Sequence, residues 1–350
     1  MRSEGLGGAV DACAVAGGAP GPCAAGAADG GRAPALRNGE PWLDDAGQPI
    51  QAHGGWILPV EGAGGVTYWW YGEDKGGETV DGRVDAIGIR CYRSLDLVRW
   101  RDCGLVLRAD PGARQAALRP EGVMERPRVL RCEDTGRYVM WLHSDDAAYA
   151  YAGVTVAVAD APTGPFEVVR TARPCRQESR DLTLFQDEDG VAWLVHSSEG
   201  NGTIHLARLR PDCLDVDGFY ARALPGQERE APCLLRLAPQ PEHDYPGGYV
   251  MLTSGCTGWR PNAALVATSG ALTEGWKLVD NPCEGPGAHT TFGGQATCLF
   301  IVGGRPHVLV DHWRPDDLAS SGYTILPVEV TRERHPSLRI VWADEWRGDY

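Results

Sequence analysis

The segment from Met124 to Asp146, MERPRVLRCEDTGRYVMWLHSDD, shows the pattern from which the fold can be predicted. It opens with a charged head, Glu125-Arg126-Pro127, continues as an apolar run, breaks at a polar turn around Gly136, and resumes as the aromatic and apolar run 138–142. Short apolar runs bounded by Gly, Pro and Asp are typical of β-strands joined by tight turns. The stretch therefore predicts two successive strands, the first of them headed by a carboxylate.

The same theme recurs from Ala52 onward, and no convincing amphipathic helix interrupts it. The runs fall into five blocks at about 53–104, 125–170, 180–224, 230–282 and 291–342. Repetition at this length is typical of a propeller built from four-stranded blades. We predict an all-β fold, a five-bladed β-propeller over residues 41–350. The alternative is a pair of β-sandwiches that carry unrelated surface acids.

Residues 1–40 are rich in Gly and Ala and lack periodicity, so they are predicted to form a disordered low-complexity leader or to reflect a mispredicted gene start. No basic segment followed by a continuous apolar segment marks a signal peptide there. No apolar stretch in the sequence is long enough to span a bilayer. The cellular compartment stays open at this point.

The composition favours a neutral ligand. A formal charge of −14 and a pI near 5.1 argue against nucleic acid or an anionic membrane surface as the main partner, because both need basic patches. Twelve Trp and eleven Tyr against five Phe is an unusual balance. Trp and Tyr combine an apolar face with a polar atom, which suits either a β-rich core or a surface that stacks against sugar rings.

The eleven cysteines show no spacing typical of zinc ligands, so no metal or other cofactor is expected from the sequence. Cys91 with Cys103, and Cys256 with Cys283, flank predicted strand pairs and are plausible disulfides. Buried free thiols explain these positions equally well.

Four polar islands precede predicted strands, and they contain Glu125, Asp181, Glu230 and Gln295. In a propeller the innermost strands line the central channel, so residues that head these strands converge on one pocket. Converging carboxylates in a Trp-lined pocket indicate glycoside hydrolysis, where one group protonates the leaving oxygen and a second handles water. The alternative is that Arg126 neutralises Glu125 and that Arg229 pairs with Glu230 at the strand edges.

Taken together, the islands resemble glycoside hydrolase family 43, a family of five-bladed β-propellers. The resemblance rests on AHGGWIL and YWWYGEDK near residues 52–75, on MERPRVL, SRDLTLF and EAPCLL, and on TTFGGQATC with DHW near the end. It covers about Ala52 to Val341 and is greatest for the exo-β-1,3-galactanase branch. The resemblance falls on the candidate site residues themselves.

The resemblance implies a catalytic set. Glu230 would be the general acid, and Glu125 would orient it and raise its pKa by like-charge proximity. The family inverts configuration, and in most members an aspartate at the head of the first blade activates water; here the corresponding segment, 51–55, has no carboxylate. The galactanase branch also lacks this aspartate and uses a glutamine in the last blade, which Gln295 matches. Such an amide would act through its imidic tautomer or only position water.

The resemblance also implies a shell that binds a galactose-like ring. Its predicted members are Glu73, Tyr149, Asp181, Glu199, Thr253, Trp259, Asp311, Trp313 and His53. Asp311 could instead anchor its blade, and His53 could be a core residue. A structural calcium occurs in this family, but no ligand set for it is legible in the sequence.

The leading hypothesis is therefore an exo-acting, inverting hydrolase that releases galactose from β-1,3-galactan, the backbone of arabinogalactans. Its partner would be an oligo- or polysaccharide, with no nucleic acid or membrane partner, and we expect a monomer. An α-L-arabinofuranosidase, β-xylosidase or β-galactofuranosidase of the same fold is the second hypothesis, and a catalytically silent sugar-binding propeller is the third. The resemblance implies an extracellular protein.

Overall fold

The computed structural model describes residues 35–239, 246–331 and 337–348, and within them it confirms the five-bladed β-propeller. Each of the first four blades is an antiparallel sheet whose strands follow one another in sequence order. A two-residue strand near the start, β1, precedes them. The bounds are β1 (Leu36–Arg37); β2 (His53–Gly62), β3 (Gly65–Glu73), β4 (Gly88–Ser94) and β5 (Arg101–Arg108) in blade 1; β6 (Val123–Arg131), β7 (Tyr138–Asp145), β8 (Gly153–Ala159) and β9 (Glu167–Ala172) in blade 2.

The remaining blades follow the same plan, and blade 5 carries one additional outer strand. The bounds are β10 (Leu182–Gln186), β11 (Ala192–Ser198), β12 (Thr203–Leu209) and β13 (Val216–Ala223) in blade 3; β14 (Arg229–Leu237), β15 (Gly248–Gly255), β16 (Leu265–Ser269) and β17 (Lys277–Leu278) in blade 4; β18 (Cys283–Glu284), β19 (Gln295–Val302), β20 (Arg305–His312), β21 (Gly322–Thr331) and β22 (Ser337–Val341) in blade 5; and β23 (Glu345–Trp346) after it. The additional strand β18 runs parallel to β22. In each blade the strand that carries a predicted site residue at or next to its head is the innermost one.

Strand β7 shows why the inner strands read as continuous apolar runs rather than as alternating ones. Every residue of this strand is buried. Val139 and Trp141 pack with Leu184 of blade 3, whereas Met140 packs with Tyr71 of blade 1. Because both faces of a blade pack against neighbouring blades, both faces of its inner strands are apolar.

The two ends of the described chain meet beside blades 1 and 5. Strand β1 pairs with β23, and the adjacent Trp42 packs against Trp70 and Tyr323 with ring centroids 6.0 and 5.8 Å apart. Most of the predicted leader, residues 1–34, lies outside the described residues. Residues 35–40, which that prediction also included, are described and contain β1.

The nine cysteines within the described ranges are free thiols, so the plausible disulfides Cys91–Cys103 and Cys256–Cys283 are absent there. Most of these thiols are buried, which fits the alternative of small apolar core residues. Among the described residues, no helix is both long and apolar enough to cross a bilayer.

Candidate active site

A bulge just inside the head of four of the five innermost strands positions the site, whereas β10 of blade 3 pairs in unbroken register. The pairing register shifts between His53 and Trp56 in β2, between Glu125 and Arg128 in β6, between Glu230 and Cys233 in β14, and between Ala296 and Cys298 in β19. Bulges of this kind re-aim side chains and are common next to active sites.

Three of these bulges contain a residue with left-handed backbone, namely Gly54, Arg126 and Ala231 with φ of 57°, 52° and 49°. Glycine adopts this conformation freely, but for Arg126 and Ala231 it is strained and must be held by neighbouring contacts. In each case the backbone N–H donates to a carboxylate of the preceding blade, and we call this hydrogen bond a clasp. The pairs are Gly54 with Asp311, Arg126 with Glu73, and Ala231 with Asp181, at N···O distances of 2.9, 3.0 and 3.0 Å.

The heads of the innermost strands and the adjoining loops enclose a pocket of about 310 Å³ on the propeller axis. Its lining residues are Glu73, Glu125, Arg126, Tyr149, Asp181, Glu230, Gly258, Trp259, Gln295 and Trp313. Eight of the predicted site residues are in this set, including the three predicted catalytic ones. Two of them, Trp259 and Trp313, form an aromatic wall with ring centroids 5.0 Å apart.

Glu230 has the environment of a carboxyl group that stays protonated near neutral pH. Burial raises its pKa, the nearby charge of Asp181 raises it further, and Arg126 and hydrogen bonds oppose the shift, which leaves the value at about 7. The sequence prediction gave the pKa-raising charge to Glu125. The structure gives that role to Asp181, because Asp181 shares the Ala231 clasp directly beside Glu230.

Glu125, in contrast, is held in its ionised form. Burial alone would raise its pKa, but the neighbouring His143 ring, the charge of Lys75 and a hydrogen bond from Tyr149 lower it to about 2. The hydroxyl of Tyr149 lies 2.8 Å from Oε1, and Nδ1 of His143 lies 3.4 Å from Oε2. Although burial lowers the pKa of His143, Asp145 and Glu125 raise it to about 9, so the ring is a cation.

Gln295 is hydrogen-bonded at both ends of its amide. Its Nε2 donates to Oε1 of Glu230 at 3.0 Å and to Oγ of Ser254 at 2.8 Å. Its Oε1 accepts from Nη2 of Arg126 and, at 3.4 Å, from Nε1 of Trp313. Because guanidinium and indole N–H groups only donate, a flipped amide would set its own N–H groups against them. The network therefore fixes the orientation of the amide and favours its ordinary amide form.

Arg126 joins several blades, and the alternative in which it neutralises Glu125 is wrong. Its left-handed backbone aims the side chain across the axis, where Nη2 lies 3.1 Å from Oδ2 of Asp181. The same guanidinium donates to Gln295 and, at 3.1 Å, to Thr297 of blade 5. The alternative pairing of Arg229 with Glu230 is also wrong, because Arg229 donates to Oγ1 of Thr253 at 3.0 Å.

Four residues predicted to bind sugar lie outside the set that lines the pocket. His53 is fully buried, stacks on Tyr323 with ring centroids 4.8 Å apart, and shares a hydrogen bond of 3.0 Å with its hydroxyl. Asp311 is fully buried and serves as the clasp for Gly54, so it anchors its blade. Both positions were expected at the pocket, and both have a structural role instead.

Thr253 and Glu199 complete these corrections. Thr253 is fully buried, where it accepts from Arg229 and donates to the carbonyl of Leu265 at 3.2 Å. Glu199 lies on blade 3, where Arg222 donates to both of its carboxylate oxygens and His205 lies 2.9 Å from one of them. These ion pairs explain the carboxylate without a sugar.

The pocket also depends on residues that sequence reasoning missed. Lys75 lies 3.0 Å from Oε2 of Glu73 and 3.9 Å from Oε1 of Glu125, and its positive charge offsets the repulsion between these two acids. His143 is the direct cross-strand partner of Glu125, and Ser254 is that of Glu230. Strand pairing could have identified His143 and Ser254, since each is a polar residue in an apolar run that faces a predicted acid.

The residues around Arg128, next to the pocket, do not fit a structural calcium ion. This guanidinium is fully buried and donates to the carbonyls of Gly54, Pro127 and Thr297 at 2.7, 2.9 and 2.8 Å. The carbonyl oxygens that could bind a calcium ion here therefore already accept hydrogen bonds from the Arg128 guanidinium. In the described part of the chain, no group of three or more His, Cys, Asp or Glu residues has a metal-binding arrangement.

A propeller whose axial pocket combines a protonated carboxyl group, ionised carboxylates and an indole wall defines a glycoside hydrolase. The chain belongs to glycosyl hydrolases family 43, whose family model matches residues 68–297. The family expected from the sequence is therefore confirmed.

Solved structures of similar chains support this assignment. A family 43 β-1,3-galactosidase solved with galactodeoxynojirimycin is 34% identical, with a TM-score of 0.80 over 89% of this chain and 99% of that one. An exo-β-1,3-galactanase from Phanerochaete chrysosporium with β-1,3-galactotriose is 30% identical, with a TM-score of 0.78 over 90% of this chain and 70% of that one. An exo-β-1,3-galactanase from Clostridium thermocellum is 31% identical, with a TM-score of 0.76 over 89% and 66%. A comparison with curated proteins gave no match.

Proposed function

We propose that this glycoside hydrolase removes single galactose units from the end of β-1,3-galactan with inversion of configuration. The observation that carries the proposal is the state of Glu230, a carboxyl group with a pKa of about 7 that opens onto the pocket beside the ionised acids. An acid with this pKa is protonated at mildly acidic pH and gives up its proton readily to a leaving oxygen.

Glu230 would donate its proton to the glycosidic oxygen as the bond to the anomeric carbon breaks. Positive charge develops on the sugar ring in this step. Glu125 supplies a fixed negative charge in the same pocket, because its pKa of about 2 keeps it ionised at every working pH. In this proposal Glu125 stabilises the transition state rather than tuning the acid.

Gln295 would position the attacking water. Its Nε2 is engaged by Glu230 and Ser254, and its Oε1 already accepts from Arg126. An imidic tautomer would carry an O–H group that points at the Arg126 donor, so this geometry supports positioning in preference to base catalysis. The weak 3.4 Å contact from Trp313 leaves Oε1 able to accept from a water as well.

The other lining residues would bind the terminal ring. Glu73 and Asp181 present carboxylate oxygens that accept hydroxyl hydrogens, and Tyr149 offers a phenol. The indoles of Trp259 and Trp313 offer apolar faces for the C–H side of a galactose ring. The choice of galactose and of the β-1,3 linkage rests on the named activities of the similar structures.

The test is galactose release from β-1,3-galactan together with a panel of nitrophenyl glycosides. Wild type should release galactose, and Glu230→Gln should lose at least about a hundredfold of that rate, since general acid catalysis contributes on this scale. Glu61→Gln, an exposed glutamate on β2, is the matched control and should behave as wild type.

Two outcomes would overturn the proposal. Release of arabinose, xylose or galactofuranose from the aryl panel, with no action on galactan, would favour another activity of the family. Binding of galactan oligosaccharides without turnover by wild type would favour a silent sugar-binding propeller.

A further inference from the structure

The connection between β3 and β4, residues 74–87, is a long loop with a rigid tip, and we name it the strap. Its tip is a two-residue turn at Asp81 and Gly82, both left-handed with φ of 51° and 73°. Val80 and Arg83 close this turn with backbone hydrogen bonds of 2.8 and 3.0 Å in both directions. Turns of this kind form tight, well-defined hairpins.

The strap is fastened to the loops of other blades. Arg83 donates to the carbonyl of Ala147 in the β7–β8 connection of blade 2 and to that of Gly122 just before β6, each at 3.1 Å. It also donates to the carbonyl of Glu121. On the opposite side, the backbone N–H of Leu318 in the β20–β21 connection donates to Oγ1 of Thr79 at 2.9 Å. The strap therefore joins blade 1 to both of its neighbours, blades 2 and 5.

The tip of the strap lies against the aromatic wall of the pocket. A side chain at Gly82 would place its Cβ 3.2 Å from Nε1 of Trp259, which belongs to blade 4. Any larger residue there would meet the indole and would also be strained by the left-handed backbone.

Beneath the strap lies a second cavity of about 290 Å³ that adjoins the pocket. The two cavities share Glu73, Glu125, Tyr149 and Trp259 as common walls. Strap residues 81–84 line the second cavity but not the pocket, whereas Glu230 lines the pocket but not the second cavity. The strap and the proposed acid therefore line different cavities that meet at these shared walls.

We propose that the strap makes this hydrolase exo-acting by closing the site behind the terminal sugar, with Arg83 and Gly82 as its specificity-determining residues. The inference rests on the proposed function and extends it. The leaving chain must run from the side of Glu230, because that group protonates the departing oxygen. A polysaccharide that continued in the other direction would have to pass through the strap, so only a chain end fits.

The test compares wild type, Arg83→Ala, and a variant in which residues 77–86 are replaced by a short Gly-Asn-Gly turn. This shortening is feasible because the backbone N–H of Asp74 already donates to the carbonyl of Gly88 at 3.0 Å, so the loop ends are adjacent. It also keeps Lys75 in place. Arg93→Ala, an exposed arginine on β4, is the matched control.

The readout is the length of the early labelled products from β-1,3-galactan oligosaccharides labelled at the reducing end. Wild type and the control should leave only labelled products that are one galactose shorter than the substrate. Both strap variants should raise the share of labelled products shortened by two or more sugars in one step by about tenfold or more, because positioning contacts control such discrimination. If the shortened variant fails to fold, Arg83→Ala decides the question.

The possible failures can be told apart. Wild type that cleaves galactan, with strap variants that still release only galactose at wild-type rates, would overturn the strap inference and leave the proposed function intact. Wild type that releases internal fragments would refute the removal of single galactose units and the strap inference together. Wild type that does not act on galactan would refute the proposed function and this inference with it.

Discussion

Asp181→Asn is the most informative change to the proposed acid. The pKa of Glu230 is raised to about 7 from its usual 4.5, by burial first and by the charge of Asp181 second. Removing that charge leaves the burial, and it also leaves Arg126 less neutralised, so the pKa should fall by about one unit. Asn retains an oxygen that can accept from Ala231, so the fold should persist.

The direction of the effect on activity follows from the role of the acid. Activity needs the protonated form, so kcat/KM falls as pH rises through the pKa of Glu230. With a pKa near 7 about half of the enzyme is protonated at about pH 7, and with a pKa near 6 about a tenth is, a loss of about fivefold. The loss should become small at about pH 5, apart from any constant factor for weaker sugar binding.

The assay is the pH profile of kcat/KM for galactose release by wild type, by Asp181→Asn and by Asp160→Asn. Asp160 is 88% exposed and pairs with Arg137 on the surface, so its substitution controls for the loss of one negative charge. The alkaline limb should move to lower pH in Asp181→Asn only. An alkaline limb that stays in place in Asp181→Asn would refute the assignment of the charge that raises the pKa of Glu230.

Three further predictions concern the supports of the pocket. Tyr149→Phe removes the 2.8 Å hydrogen bond to Glu125 and should lower kcat/KM by about tenfold with little change in melting temperature; an unchanged kcat/KM would exclude that contact from the reaction. His143 has a pKa of about 9, above its usual 6.5, so its contribution to stability is complete below about pH 6.5 and is lost as pH rises through about 9. Thermal unfolding should therefore show a loss of stability over this range that is smaller in His143→Gln, and identical profiles would contradict the charged ring. Arg128→Met leaves several buried carbonyls without a donor and should cost about 3 kcal/mol in denaturant unfolding, whereas EDTA should leave the melting temperature of wild type unchanged; a strong EDTA effect would show that a metal stabilises the fold.

The blade pattern and the pocket could be predicted from the sequence because one pattern of strands recurs five times. A polar head before an apolar run places Glu125, Glu230 and Gln295 at the axis whatever the details of packing. The two indoles, Trp259 and Trp313, were predicted from the family resemblance instead. The blade pattern and the convergence of the strand heads depend on local patterns and on the symmetry of the fold.

The pairings within the pocket were not readable because bulges decide them. Adjacent residues such as Glu125 and Arg126 look like an ion pair in sequence, but the left-handed backbone at Arg126 sends the two side chains to different partners. His53 and Asp311 were misplaced for a related reason. Their strand positions are right, but the clasp between Asp311 and Gly54 lies within the packed interior.

Glu199 was misplaced for a different reason. Its loop residues resemble those of a binding site, yet its partner Arg222 lies on the next strand but one and reaches it only through the folding of blade 3. Sequence spacing does not reveal such a pairing.

The inverting mechanism is tested by the anomer that wild type releases first from β-1,3-galactan, followed by proton NMR. An inverting hydrolase with Glu230 as its acid predicts α-galactose as the initial product, with none formed on the same time scale by Glu230→Gln. Initial β-galactose would exclude inversion, and release by Glu230→Gln at the wild-type rate would exclude Glu230 as the acid.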